Sequence, residues 1–559
     1  MITLSSFRSQ SNNDGFYTTC YLGDSAVLLA FNIDPSHLDN LAGFTVECTT
    51  PNKGPYQSNK YFLKNRIGFK EQPPGSTLLE GSDEAPFQSF HWVHFPSAGP
   101  GQYQYSCYAA FFNPDGTIRL GQNVTVTTDL SYRSYPKLEA GFTRGYISSQ
   151  AYADRFTNKP IGPTPKSMDF DTTPYLGQYI WLGAHARQEI FEFLKECETD
   201  NSIALDVFSF DFDEPDIIRS LCKLGTRVRV FQDDSPEHTT ATSLEPKTVT
   251  TLQASGIQVK LGHFSRFAHD KVMIQKDKNG IALKVLTGSA NFSLRGMYVQ
   301  ANSVLVSSDQ IIAAKYEEAF QQAWNNEQSF KSSTIASAWF GFPSSTESPQ
   351  LSVSFAPHPS PPFSLDKVAT AIQTAKSSVF FAVMQAEGGG PVIAALENLA
   401  GNQGVLSLGT IQSASQMKLF KQGLSDSVAS FNYLGKTVPK PFEPETSGGI
   451  GQVIHHKFVV VDFNSSSPVV FCGSSNLSSG GEVDNGDNLI AISDQRIATM
   501  YAVEAIRLYD HYEFRSIEES SAAANTSIAL QTTSEWSKPY FSAGQVKFTE
   551  RQLLCPITD

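Results

Sequence analysis

Hydrophobic and polar positions fall into different patterns along the chain. Up to about residue 130, apolar residues alternate with polar ones in short runs, as in Phe44, Val46 and Cys48 and again in Tyr103, Tyr105 and Cys107. A period of two is that of a strand with one buried face. Clusters of Gly, Pro and Asn separate the runs, and Asp115-Gly116, between 109–112 and Ile118, is a hairpin signal. Val124 and Val126 close this all-β unit. Residues 131–175, rich in Tyr, Pro, Thr and Gly, are too long for an ordinary loop and are expected to drape over the unit that follows. The period then changes. Ile190, Phe193, Leu194 and Cys197 follow helical spacing, while 203–210 and 227–231 are strand-like runs. Near residue 350 the order restarts. Leu365, Val368, Ala371, Ile372 and Ala375 predict a helix with Ser364 at its N-cap, and 379–384 predicts a strand. Segment 332–347 reads as the seam between two copies, 501–515 as a helix beside the second, and 520–527 as a flexible linker. The expected division is 1–130 (β-sandwich), 131–175 (connector), 176–345 and 346–518 (two α/β lobes, each a mixed sheet flanked by helices) and 519–559 (linker and C-terminal extension).

Composition narrows this picture. A chain of 559 residues is too long for one core, and 40 % hydrophobic residues describe a globular protein. The net charge of −13 gives no general electrostatic footprint for nucleic acid, though a local basic groove is compatible with it. The first residues lack a basic segment followed by an apolar run, and no stretch approaches 18 apolar residues, so neither a signal peptide nor a membrane helix is expected. Seven cysteines without a CxxC pair fit reduced thiols and a cytoplasmic location. Pairing of Cys48 with Cys107 across the sandwich is the alternative if the chain is exported by another route. Segment 101–111 resembles the late strands of immunoglobulin or fibronectin type III sandwiches and suggests an accessory or binding role, with no partner indicated.

The chemistry lies in a repeated pattern. His269-Asp-Lys271 leads into Val-Met-Ile and then Gly288-Ser289-Ala-Asn291; His455-His-Lys457 leads into Phe-Val-Val-Val-Asp462 and then Gly473-Ser474-Ser-Asn476. The intervals from His to Asn are 22 and 21 residues, and the copies lie 186 residues apart. In a strand, residues i and i+2 point to one face, so each His and Lys can address the same ligand. The Gly allows a tight turn that aims the Ser and Asn there too. A single His-x-Lys is weak evidence; two, each followed at matched distance by Gly-Ser-x-Asn, are strong evidence. Two imidazoles, two ammonium groups and two amides suit phosphoryl transfer. One imidazole attacks phosphorus, the other protonates the leaving alkoxide, and Lys271, Lys457, Asn291 and Asn476 neutralise the phosphate oxygens. Fixed cations then do what Mg²⁺ does elsewhere, so no metal or other cofactor is expected.

These residues resemble the HKD signature, H-x-K-x4-D followed by G-S-x-N, of the phospholipase D superfamily, in its single-chain two-motif form, over about residues 175–515. The resemblance implies two lobes related by a pseudo-twofold axis with the active site on the seam. It also implies a histidine nucleophile, here His269, with His455 as general acid. The second motif matches throughout, Asp462 included, and Asp487 matches the downstream carboxylate that orients an imidazole. In the first motif Lys276 stands where Asp is expected, with Asp277 one place late, and Gln300-Ala301-Asn302 replaces the downstream acid. His269 is therefore expected to lack its own carboxylate. Either Gln300 or Asp277 substitutes, or His455 is the better-activated nucleophile.

Hydrolysis or exchange of a phospholipid headgroup, with transient membrane-surface contact, is the favoured function by analogy. A nucleic-acid phosphodiesterase and a catalytically degenerate binding protein are the alternatives. Segments 233–250 and 437–452 are candidate walls of the substrate entrance. His263, His358 and His511 read as structural, and the aromatic cluster Trp339, Phe340 and Phe342 as packing where the lobes meet or as a lipid contact.

Overall fold

The computed structural model describes residues 7–51, 59–71, 79–97, 99–130, 134–145, 150–384, 389–399, 404–411, 428–430, 454–524 and 526–557. The alternating N-terminal runs form two antiparallel sheets. One orders the strands Arg8–Asn13, Phe16–Leu22, Val27–Ile33 and His91–His94, and the other Ile118–Leu130, Gly101–Phe112, Leu41–Thr49 and Lys60–Phe62. The two sheets face each other through aromatic side chains: the Phe44 ring lies 4.7 Å from Phe31 and 5.7 Å from Phe16. The predicted hairpin pairs Phe112 with Ile118. Cys48 and Cys107 sit on adjacent strands of one sheet, both buried as free thiols, rather than bridging two sheets.

Beyond the sandwich the fold is α/β, built as a repeated mixed sheet flanked by helices. The first sheet is seven-stranded, in the order Leu138–Phe142, Ser303–Ser307, Ala282–Gly288, Val272–Lys276, Ala204–Ser209, Val228–Asp233, Gln258–Gly262. The second follows the same plan: Gln350–Ala356, Asn485–Ser493, Val469–Gly473, Lys457–Val461, Ser378–Val383, Leu406–Ile411, Val428–Ser430, with Trp339–Phe342 added at its edge. In both, the strand leading from the His-x-Lys pair lies near the middle, where β-branched residues are buried on both faces. Helices such as Leu176–Thr199 and Leu365–Gln373 cover the outer faces.

Three expectations are corrected. The stretch 131–175 does not merely drape, because Leu138–Phe142 pairs with Ser303–Ser307 and completes the first sheet, as Gln350–Ala356 completes the second. Ser364 makes no side-chain cap. Its hydroxyl and backbone N–H both donate to Glu482, a partner reached only through the tertiary fold. The expected linker at 520–527 begins as helix, since Gln495–Ala524 runs on through helix-favouring alanines. The C-terminal helices then return to the sandwich. Trp536 Nε1 donates to the Leu41 carbonyl at 2.9 Å, and Tyr21 Oη donates to the Leu554 carbonyl at 2.8 Å.

Candidate active site

Both Gly-Ser-x-Asn turns have the same local cause. Gly288 and Gly473 end their strands at φ 144° and 135°, and a Cβ there would collide with the carbonyl of Ser303 or Asn488 on the neighbouring strand. That close approach lets Ser289 N–H and Ser474 N–H donate to those carbonyls at 2.9 and 3.1 Å. Ser289 Oγ then donates to Asn302 Oδ1 at 2.8 Å, and Ser474 Oγ to Asp270 Oδ1 at 3.0 Å. The serines thus brace the loops that hold the imidazoles.

The imidazoles are held crosswise. His269, of the first lobe, bonds through Nδ1 to Asp487 Oδ1 of the second at 2.6 Å; His455, of the second, bonds through Nδ1 to Asn302 Oδ1 of the first at 2.8 Å. The backbones cross in the same sense: Phe267–Ala268 pairs with Asn485–Gly486, and Ala301 bridges to Ile454. An amide oxygen can only accept, so His455 carries its proton on Nδ1, and an ionised Asp487 sets the same tautomer on His269. Nε2 of each ring is then the reactive nitrogen. This corrects the expected pairing. His269 does not lack a carboxylate, because the second lobe supplies one. The histidine without an acid is His455, whose partner is Asn302, and the substitute expected for His269, Gln300 or Asp277, is replaced by Asp487. The sequence suggested local partners, whereas the facing of the lobes exchanges them.

Both lysines are buried beside these rings, and each ammonium donates to the carbonyl of its own histidine, Lys457 to His455 at 2.7 Å and Lys271 to His269. Burial, then the two lysine charges, hold both imidazoles well below their ordinary pKa of 6.5. Burial also holds Lys457 well below the usual lysine range and brings Lys271 down to about 8. Burial pushes Asp270 and Asp487 up to about 6. Each shift is that of a charge held away from solvent, with Lys271 and Lys457 facing the carboxylates of Asp487 and Asp211 as well as the two rings.

The other expected supports lie elsewhere. Asp462, at φ 53°, accepts from the backbone N–H groups of Lys376, Ser377 and Ser378 and ties the far end of its strand to its neighbour. Asp462→Ala is therefore expected to lower stability by about 2 kcal/mol, read as a drop in melting temperature, with turnover retained. A matching loss of turnover in the folded variant would return Asp462 to the site. Asp277 is bound to the turn it begins, accepting from Asn279 N and Ile281 N. Gln300 is buried with no partner for its Oε1, and its carbonyl accepts from Thr143. His358 donates from Nδ1 to the Ala336 carbonyl, and His263 bonds Asp234 at the surface. The Trp339–Phe342 strand is half-buried at a sheet edge, under the ammonium groups of Lys315 and Lys367. Segment 437–452 lies outside the described residues.

Sequence reasoning offered 233–250 as a wall of the entrance but missed the ionic group that its residues form with Asp211. His238 bonds Asp233 through Nδ1 at 2.7 Å and Asp211 through Nε2 at 3.0 Å, and Asp211 accepts from Asn291 Nδ2 at 2.5 Å. Asp233 also accepts from Ala268 N–H, one residue before His269, at 2.6 Å. Burial opposes the charge on His238, but its two carboxylate partners lift it to about 10. An imidazole bonded to carboxylates through both nitrogens is a cation with no lone pair, so the cluster of Asp211, His238 and Glu245 is not arranged as a metal ligand set. The available signal was position: Asp211 follows the carboxyl end of the strand Ala204–Ser209, where sheets of parallel strands place ligands.

Fold and site together define a duplicated α/β chain in which two His-x-Lys strands meet across one seam. The family model for "Cardiolipin synthase, PLD-like domain" matches residues 190–324 and 368–509, one stretch in each half. The chain belongs to the phospholipase D superfamily. It is 25 % identical over 124 residues to a mitochondrial cardiolipin hydrolase of Xenopus tropicalis, a match covering 22 % of this chain and 54 % of that one. The chain thus spans about half the length of the curated relatives it matches. Among solved structures, phosphatidylserine synthase of Haemophilus influenzae superposes over 67 % of this chain and 94 % of its own (TM-score 0.38, 11 % identity). Nuc of Salmonella typhimurium superposes over 24 % and 85 % (TM-score 0.21, 23 % identity). No helix among the described residues is long and apolar enough to cross a membrane.

Proposed function

We propose that the protein is a metal-independent phosphodiesterase that hydrolyses or exchanges phospholipid headgroups through a phosphohistidine. The reciprocal holding of His269 by Asp487 and of His455 by Asn302 supports this reading, since it accompanies two imidazoles from different lobes that both lie within the fields of the same two lysines. The partners also divide the roles. As Nε2 of His269 bonds phosphorus, its ring becomes cationic, and the Asp487 carboxylate stabilises that charge. The P–O bond to the headgroup breaks, and the departing alkoxide takes the proton from Nε2 of His455. The neutral Asn302 stabilises an imidazolium less than a carboxylate would, so His455 releases its proton readily. In the second half His455 takes a proton from water or an alcohol, whose oxygen attacks phosphorus; the P–N bond breaks and His269 is restored. Lys271 and Lys457 balance the phosphate oxygens throughout. The sandwich, with the C-terminal helices on it, is proposed as an accessory unit.

Because the lysines supply the positive charge, activity is expected to survive EDTA; strict dependence on an added divalent ion would overturn the mechanism. Because burial and the lysines hold His455 below 6.5, its proton is lost as pH rises through a value on the acid side of 6.5, and kcat/KM should fall there. Asn302→Asp gives the ring an anionic partner and should move that alkaline limb upward by about one pH unit or more. A limb that stays in place would remove His455 from the acid role. The substrate class is tested by assaying phosphatidylcholine, phosphatidylglycerol and single- and double-stranded DNA side by side. Cleavage of DNA alone would overturn the lipid assignment.

A further inference from the structure

The first-lobe wall of the pocket carries a feature that phosphate binding does not require. The Asp211 side chain is 32 % exposed, while Asn291, His238 and His269 around it are buried. With its amide N–H given to Asp211, Asn291 has its Oδ1 buried with no partner. A partly exposed carboxylate and an unsatisfied amide oxygen thus stand side by side. Both are acceptors, and a phosphate diester brings only acceptors, so neither can bind its oxygens. A buried acceptor without a donor is costly, and the missing partner is a donor.

Charge and place narrow the donor. Asp211 already faces the His238 imidazolium at 3.0 Å and lies within the fields of Lys271 and Arg295, while Asp233 bonds the other nitrogen of His238 and the Glu245 carboxylate stands within 4.8 Å of Asp211, so the acids there are already matched by cations. An ammonium group would meet those cations, whereas a hydroxyl donates without adding charge. Phe210, next in sequence, has its ring 4.7 Å from that of His269 and under the Lys271 ammonium. The hydroxyl therefore belongs to the alcohol esterified at the phosphate, not to a remote part of the substrate.

We propose that Asp211 and Asn291 Oδ1 form a subsite for a hydroxyl of the esterified alcohol, so that the chain favours lipids with a polyol headgroup of the glycerol type. The inference rests on the phosphodiesterase reading above. It is tested with the full chain on mixed micelles of phosphatidylglycerol, phosphatidylpropanol (the same headgroup length without hydroxyls) and phosphatidylcholine. Phosphatidylglycerol should exceed the other two in kcat/KM by about ten- to a hundredfold, below the roughly ten-thousandfold reached when a fully buried site built for a hydroxyl meets an analogue lacking it, because Asp211 is partly exposed. Asp211→Asn should bring the three within about threefold of one another. Equal wild-type rates on all three would overturn the subsite and leave the phosphodiesterase reading standing, and that comparison does not depend on the variant folding. No cleavage of any lipid would overturn both. Selectivity intact in a folded Asp211→Asn protein would overturn the role of Asp211. A ribodinucleotide cleaved faster than every lipid, with the same loss in Asp211→Asn, would overturn the lipid headgroup in favour of a ribose.

Discussion

Replacing His269 with alanine is expected to lower turnover by about ten-thousandfold or more, because it removes the atom that bonds phosphorus rather than weakening one contact among many. His455→Ala should be comparably damaging with a phosphate ester that needs its leaving group protonated, and less so with an activated nitrophenyl ester, whose alkoxide leaves unaided. That contrast separates the two roles. Trapping the intermediate by acid-free quenching and mapping the labelled peptide should place the phosphoryl group on His269. Label on His455 would exchange the assignments, and label on a third histidine would end the scheme. Near-normal turnover in either alanine variant would remove that ring from the chemistry.

Asp487→Asn comes next in expected effect, with a fall in kcat of about a thousandfold or more, comparable to losing the acid behind a catalytic imidazole elsewhere. The asparagine is the same size, so packing is preserved, and burial of a neutral amide instead of a carboxylate already pushed up to about 6 should leave the melting temperature within a few degrees. What changes is the proton. An amide turned to offer N–H to Nδ1 forces the hydrogen onto Nε2 and removes the attacking lone pair. The informative pattern is therefore a catalytic defect in a well-folded protein. Retained activity would mean that the 2.6 Å contact between His269 and Asp487 has no part in the reaction.

How far the site was legible follows from where each signal resides. His269, Lys271, His455 and Lys457 could be read directly, because polar residues at a spacing of two stand out against the apolar runs they lead into. The doubling excluded coincidence. The partners of the rings could not be read. Asp487 lies 32 residues beyond His455 but bonds a ring 218 residues before it. Nothing in a linear pattern distinguishes a carboxylate that serves its own lobe from one that serves the other. Asn302 was passed over for Gln300 because the choice depends on how the chain turns into the strand Ser303–Ser307. Asp462 kept its place in the motif but serves the sheet, since its left-handed backbone aims the carboxylate at the amides of 376–378. Asp211 and His238 are 27 residues apart with no motif between them, and only the adjacency of the strands that precede them brings them together. The α/β plan of the lobes was legible from the change in apolar period. The strand Leu138–Phe142 was hidden because five residues inside a long polar connector carry too few apolar positions to show a period.

The docking of the C-terminal helices onto the sandwich has a consequence for synthesis. Phe44 and Phe90, made before both lobes, find Trp536 and Tyr540 only after them, with rings 6.2 Å apart for Phe44–Trp536 and 4.5 Å for Phe90–Tyr540. A ribosome therefore releases the aromatic lid of this unit only after both lobes have emerged, and until then the growing polypeptide carries those rings uncovered. A nascent chain halted before residue 536 would leave Phe44 and Phe90 without these partners.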